Sequence, residues 1–263
     1  WSSGGNQVYF GTYSNSPVKY RVLSSPTTTQ STTNDSLLLD CNTIFETKTF
    51  DEAMSDSFYK DGTMFSDMER KAIKTTTLND CKYSYTMNGV GSLDCTDNKD
   101  SKHVFCLSIA EADTLYTNDE ARKKTPDTQI WRLRSYCEWR KETYIGGVNW
   151  DGDVSPYKTD KETIGVSPAL NVSLSSVLLA SVSELNAKSS DLAAVDNSTA
   201  TVWKLTLLDN NKTVSVTQGQ NVKRQGTTIT VPYTYTGSDV SQISIMITDM
   251  AYEASDAQVL YYG

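Results

Sequence analysis

The sequence predicts an α+β domain followed by a small all-β sandwich. Three observations carry that reading. Short apolar-alternating runs broken by turn residues fill the first 180 residues, two capping-box spacings open helices among them, and evenly spaced short strands follow residue 200. The domains are placed at 1–182 and 200–263.

Val8–Tyr13 and Val18–Leu23 read as two strands joined at Ser16-Pro17, and Leu37–Leu39 as a third, after a Ser/Thr-rich loop over Ser24–Asn34. In Phe65–Ile73, Ser66 and Glu69 have capping-box spacing, and Phe65, Met68, Ala72 and Ile73 share a face. Residues 79–102 are polar and bounded by Cys81 and Cys95, a long excursion whose cysteines flank a hairpin and suggest a disulfide. His103–Leu107 is a strand, and Ser108 and Glu111 cap a helix to about Tyr116. The charged run Thr117–Gln129 reads as loop. Strands follow at Trp131–Arg134, Gly147–Trp150 and Ile164–Leu174, with a polar loop between the first two and a turn at Asp151-Gly152. Ser183–Thr199 is a polar connector. Strands at 202–207, 213–216, 227–235, 240–248 and 258–262, separated by Asn and Gly turns, suggest an Ig-like domain.

Composition limits the function. A chain of 263 residues with net charge −8 and pI near 4.7 does not suit a nucleic-acid or anionic-membrane partner, which needs a basic surface. No apolar run approaches the roughly 18 residues a membrane helix needs. Fifteen tyrosines with abundant Ser, Thr and Asn point to secreted or cell-wall-associated material, and the start at Trp1 without Met to a piece of something longer. Five cysteines leave at least one without an internal partner. Cys41 and Cys106, in apolar strands, read as buried thiols, and Cys137 as partly exposed.

The candidate site lies in Trp131–Leu170, where three of the five tryptophans fall. Trp, Tyr and Arg combine contact area with a polar handle and dominate binding hot spots. Trp131, Leu133 and Val148 read as core, and Arg134 as tying down a buried carbonyl or carboxylate. The expected ligand-binding residues are Arg132, Tyr136, Glu138, Trp139, Arg140, Tyr144, Trp150, Asp151, Asp153 and Tyr157. Asn149–Asp153 places oxygens at alternate positions, as calcium loops do, but three are too few for calcium, and a hairpin turn is the simpler reading. No metal or cofactor is expected. Single His103 at the start of a core strand reads as structural, and no hydrolase, zinc or phosphate-loop motif occurs, so the chain reads as non-enzymatic.

These phrases, in order, resemble an uncharacterised C-type-lectin-like domain of secreted Gram-positive gut bacterial proteins. The resemblance covers roughly residues 6–180. It rests on Val8–Tyr13, Val18–Leu23, Phe65–Ile73, Val104–Ser108, Trp131–Ser135, Val148–Gly152 and Gly165–Leu170. Trp131-Arg132 departs from the family's two aromatics, and Ser167 stands where the family favours Arg before Pro-Ala-Leu. The resemblance implies a binding module with an Ig-like companion and supplies no ligand; among extracellular macromolecules, a host glycoprotein or immunoglobulin suits a gut-surface module. A glycan-binding lectin or adhesin and a structural spacer are the alternatives.

Overall fold

The structure, a computed structural model of the chain, describes residues 6–23, 35–46, 56–86, 89–139, 142–158, 164–182, 193–194, 201–216, 223–238, 240, 243, 245–251 and 257–262. For residues 79–86, 89–100, 138–139, 182, 193 and 262 it describes the backbone alone. The fold is mostly β with short helices, and the chain divides into two compact units.

The first unit opens with β1 (Gln7–Tyr13), β2 (Ser16–Val22) and β3 (Ser36–Cys41), an antiparallel series whose first hairpin turns at Ser14-Asn15, both at positive φ, rather than at the expected Ser16-Pro17, which lies within β2. Helices α1 (Ser57–Lys60) and α2 (Asp67–Ala72) follow. Ser66 caps α2 as its spacing predicts: its hydroxyl accepts the Glu69 amide at 3.3 Å, and Glu69 accepts the Ser66 amide at 2.8 Å. Next come β4 (Ile73–Lys74), β5 (Thr76–Thr86), β6 (Gly89–Lys102) and β7 (Val104–Phe105). Strands β5 and β6 form one long hairpin with Cys81 opposite Cys95. The disulfide expected there concerns side chains outside the described ones. Helix α3 (Ile109–Leu115) begins at the second capping box, Ser108 with Glu111. The stretch read as charged loop holds α4 (Asp119–Arg122), and its Arg122 and Lys124 are buried.

Strands β8 (Trp131–Trp139), β9 (Glu142–Val148) and β10 (Val154–Tyr157) form a meander, followed by β11 (Ala169–Ser173), β12 (Val177–Val182) and the two-residue β13 (Ala193–Ala194). Among its described residues, the polar loop expected after Arg134 is therefore strand through Trp139 and again from Glu142. The Tyr, Cys, Trp, Thr and Ile residues of 136–145 suit a pleated surface, and cross-strand pairs Tyr136–Ile145 and Cys137–Tyr144 align them.

Strand β14 (Val202–Leu207) corrects the domain boundary. Expected to open the sandwich, it instead lies between β12 and β1 in the first unit, antiparallel to β12 and parallel to β1. One sheet of that unit runs β12-β14-β1-β2-β3-β11-β4, with β7 also paired to β11, and the other runs β10-β9-β8-β5-β6. Between Ser36 and Cys41 the side chains alternate faces. Leu37 and Leu39 pack with Val8, Tyr20, Phe58, Phe65 and Ala72; Leu38 packs with Ile109, Leu115, Trp131, Leu133 and Val148. The sheet that contains β3 thus has apolar packing on both faces.

In the second unit, β15 (Thr213–Val216) pairs with β18 (Tyr233–Thr236) and β16 (Lys223–Gln225) with β17 (Thr228–Thr230). Strand β20 (Val259–Tyr262) pairs with β19 (Met246–Thr248) and β13. Its described residues form three small antiparallel sheets.

Because β14 supplies hydrogen bonds to strands on both sides, a chain cut after Val182 exposes the edges of β12 and β1. Such a fragment is expected to aggregate or lose its cooperative melting transition, whereas one ending after Leu208 keeps both; circular dichroism and gel filtration decide between these outcomes.

Candidate recognition surface

The candidate site rests on a polar frame inside the first unit. At β8 the register against β9 shifts between Arg132 and Tyr136, and the bulged segment turns to α3: the Arg134 amide donates to the Leu107 carbonyl at 2.8 Å, and the Ile109 amide to Ser135 Oγ at 3.0 Å. The bulge aims Arg134 at Glu111, with Nη1 2.5 Å from Oε2 and Nη2 3.0 Å from Oε1; Nη1 also donates to the Cys106 carbonyl at 3.0 Å. Both partners are buried. Arg134 therefore ties down a carbonyl and a carboxylate at once, and that carboxylate also caps α3.

A second buried pair joins Lys124 to Asp40, Nζ to Oδ2 at 2.6 Å, with neither side chain exposed. Lys124 Nζ also donates to Ser167 Oγ at 2.8 Å and sits 3.9 Å from the Trp131 ring centroid. Burial holds the Lys124 ammonium below the ordinary lysine range, against the opposing pull of Asp40. Ser167 is therefore an interior residue whose hydroxyl meets a lysine arriving from another segment.

This frame fixes the turn between β9 and β10. The Gly152 amide donates to the Asn149 carbonyl at 3.0 Å and the Asn149 amide to the Asp153 carbonyl at 2.9 Å, closing the hairpin turn that the Asp-Gly signal predicts. Gly152 has φ +92°, and a Cβ there would stand 1.9 Å from the Asp119 carbonyl oxygen, so backbone is packed on backbone. Arg122, 6% exposed, donates through Nε to the Gly152 carbonyl at 2.8 Å and pairs with Asp119. The turn is thereby pinned to α4.

At its tip Trp150 is 61% exposed. Asp151 and Asp153, also exposed, flank it. The Asp153 amide donates to Asp151 Oδ1 at 3.1 Å, and Ser155 Oγ donates to Asp153 Oδ2 at 3.3 Å, so their oxygens brace the turn. Among the described residues no group of three or more His, Cys, Asp or Glu side chains is arranged to hold a metal ion, and no helix is long and apolar enough to cross a membrane.

The other expected contact residues fall elsewhere. Arg132 is a correction: its side chain is wholly buried, and burial pushes its guanidinium below the ordinary arginine range. Tyr144 is a second. Its ring packs in the core beside Leu133 and Cys137, and only its hydroxyl reaches outward, donating to Glu142 Oε2 at 3.0 Å. Tyr136 and Tyr157 are half-buried. The Tyr157 ring lies against Gly147, where a Cβ would meet it at 2.7 Å. The side chains of Glu138 and Trp139 and the whole of Arg140 lie outside the described residues. What the structure brings together at one surface is Trp150, Asp151 and Asp153, with Asp119 behind them.

Cys41, Cys106 and Cys137 are free and buried, which corrects the expectation that Cys137 is partly exposed. Burial pushes their thiols up, to about 12, about 11 and about 12 respectively. No family model matches the chain, and no similar curated protein or solved structure is found.

Three outcomes follow from this frame. Arg134→Ala takes the guanidinium away from the buried Glu111 carboxylate and is expected to cost about 3–5 kcal/mol in denaturant unfolding. Gly152→Ala forces the Asp119 backbone away and is expected to lower the melting temperature by several degrees. The thiols stay protonated in the fold while unfolded cysteines ionise near 9, so the stability they contribute is full below that pH and falls as pH rises from about 9 towards 11–12. At pH 8, iodoacetamide is therefore expected to spare Cys41, Cys106 and Cys137 in the native protein and modify them in guanidinium, as read by peptide mass spectrometry.

Proposed function

We propose that this chain is a secreted or cell-wall-associated binding module of a Gram-positive gut bacterium. Its first unit is a C-type-lectin-like domain that engages a host glycoprotein or immunoglobulin, and its second is an Ig-like companion. Binding needs neither catalysis nor a cofactor in this reading. The observation that carries it is Trp150, a large aromatic held 61% exposed at the tip of a turn pinned by Arg122 and closed against Asp119. A buried frame that supports an exposed tryptophan contributes little to the stability of the free protein through that side chain. It does present contact area without an ordering cost on binding. The carboxylates of Asp151 and Asp153 favour a ligand with amide, hydroxyl or cationic donors, in keeping with the net charge of −8.

The order of phrases that resembles lectin-like domains supports the same reading. The turn falls between Ser135 and Ile164, the segment that such domains use to carry ligand contacts. A glycan ligand and a spacer role remain as the contrasting outcomes of one experiment. Wild-type chain and Trp150→Ala, immobilised at equal density, are exposed to intestinal secretions and to purified immunoglobulin. Retention of a host protein by wild type, weakened about 30-fold in the variant, matches an anchor worth about 2 kcal/mol. Equal retention by both removes Trp150 as the anchor. Competition by free sugars favours the glycan ligand, and no retention at all favours the spacer.

A further inference from the structure

Away from the Trp150 turn, the chain's single histidine stands in a line of three polar side chains drawn from three segments. Asp56 precedes α1, Thr75 lies between β4 and β5, and His103 lies between β6 and β7. His103 Nδ1 is 2.9 Å from Asp56 Oδ2, and His103 Nε2 is 3.0 Å from Thr75 Oγ1. The other carboxylate oxygen of Asp56, Oδ1, accepts the backbone amides of His103 at 3.2 Å and Val104 at 2.9 Å. Asp56 is 5% exposed.

The imidazole is held from more than one direction. Tyr59 stacks on it with ring centroids 3.8 Å apart and planes 2° from parallel. Asp56 itself has φ +63°, a left-handed backbone that costs a non-glycine residue roughly 1 kcal/mol or more and that gathers at functional sites. Exposure runs the opposite way along the line: Asp56 is sealed, the His103 side chain is 27% exposed, and Thr75 is open to solvent. An ionised carboxylate can only accept, so Asp56 keeps the imidazole proton on Nδ1 and leaves the Nε2 lone pair facing the threonine hydroxyl. A purely structural tie would need only the contacts of Asp56 to the backbone. It gives no reason for an oriented, aromatic-clamped base to end on an exposed hydroxyl.

We propose that Thr75, His103 and Asp56 form a nucleophilic acyl-transfer site for small carboxylic esters, an activity separate from macromolecular binding at Trp150. The constellation is recognised by geometry and roles rather than by sequence order. Thr75 Oγ1 attacks the ester carbonyl carbon while His103 Nε2 takes the hydroxyl proton. The bond to the alcohol oxygen breaks, and the imidazolium returns that proton to the departing alkoxide. Water then attacks the acyl-threonine with His103 again as base, which releases the carboxylic acid and restores the hydroxyl. Asp56 stays ionised throughout and is a positioning residue: it sets the tautomer and stabilises the imidazolium.

The test uses the full chain and 4-nitrophenyl acetate at pH 7.5, with acid-quenched samples digested for mass spectrometry. Nitrophenolate release above the buffer rate, with an acetyl group on Thr75, is expected. Thr75→Val removes the nucleophile at an exposed position and should return release to the buffer rate. Asp56→Asn separates chemistry from architecture. The asparagine Oδ1 can still accept both backbone amides, but its Nδ2 donates to Nδ1 and leaves Nε2 protonated and unable to take the threonine proton. Melting temperature is therefore expected to hold within a few degrees while release falls to the buffer rate. Wild type releasing no faster than buffer, acetyl groups confined to lysine or tyrosine, or Thr75→Val releasing as fast as wild type each overturns the proposal.

Discussion

Asp40 is the constraint on which the first unit depends. It sits in β3, a strand whose leucines are buried on both faces, and its carboxylate has no path to water. An isolated charge there would cost several kcal/mol, so the chain must deliver partners to it. Lys124 supplies the opposite charge, the Tyr116 hydroxyl donates to the same carboxylate oxygen, and Ser167 Oγ holds the ammonium on its other side. Ser167 in turn accepts from Lys124 and can donate to the Cys41 or Thr43 carbonyl at 3.0 or 3.2 Å. A single buried carboxylate thus connects the segment after α3, the segment after α4, β3 and the entry to β11. Arg21 strengthens the same corner by donating through Nε to Asn42 Oδ1 at 2.7 Å and through its other nitrogens to the Ala121 and Lys123 carbonyls.

The Arg134–Glu111 pair does for the β8–β9–β10 meander what Asp40 does for β3. It fixes the bulge in β8 to the N-terminus of α3, and Arg122 fixes the following turn to α4. Buried pairs of this kind add little net stability over apolar packing, but each accepts only one arrangement of its partners. Their consequence is geometric: the surface that carries Trp150 is built on strands and short helices with fixed spacing. Trp150 is held in place before anything touches it.

Legibility followed distance along the chain. Both capping boxes were readable because Ser66 with Glu69 and Ser108 with Glu111 solve a local problem, the unpaired amides of a helix start. The turn at Asn149–Gly152 was readable for the same reason. The continuation of β8 through Tyr136–Trp139 was not, because its polar residues look like loop until β9 supplies the opposite strand. Arg132 and Tyr144 appeared as contact residues by type alone. Whether an Arg or Tyr on a strand faces solvent or core depends on the register of a partner strand, and a shift of one residue reverses it. Asp56, Thr75 and His103 carry no short-range signal at all, lying 19 to 47 positions apart.

The sequence by itself determined the local grammar: a β-rich chain with a net charge of −8, where two helices begin, and where the β9–β10 turn falls. Tertiary structure alone decided that Arg122, Lys124 and Arg132 are interior, which strand completes the first sheet, and which of the expected contact aromatics stands in solvent. The physical reason is that caps and turns satisfy backbone groups within a few residues. Burial of Arg132, the Lys124–Asp40 pair and the insertion of Val202–Leu207 between β12 and β1 are settled by partners dozens to nearly two hundred residues away.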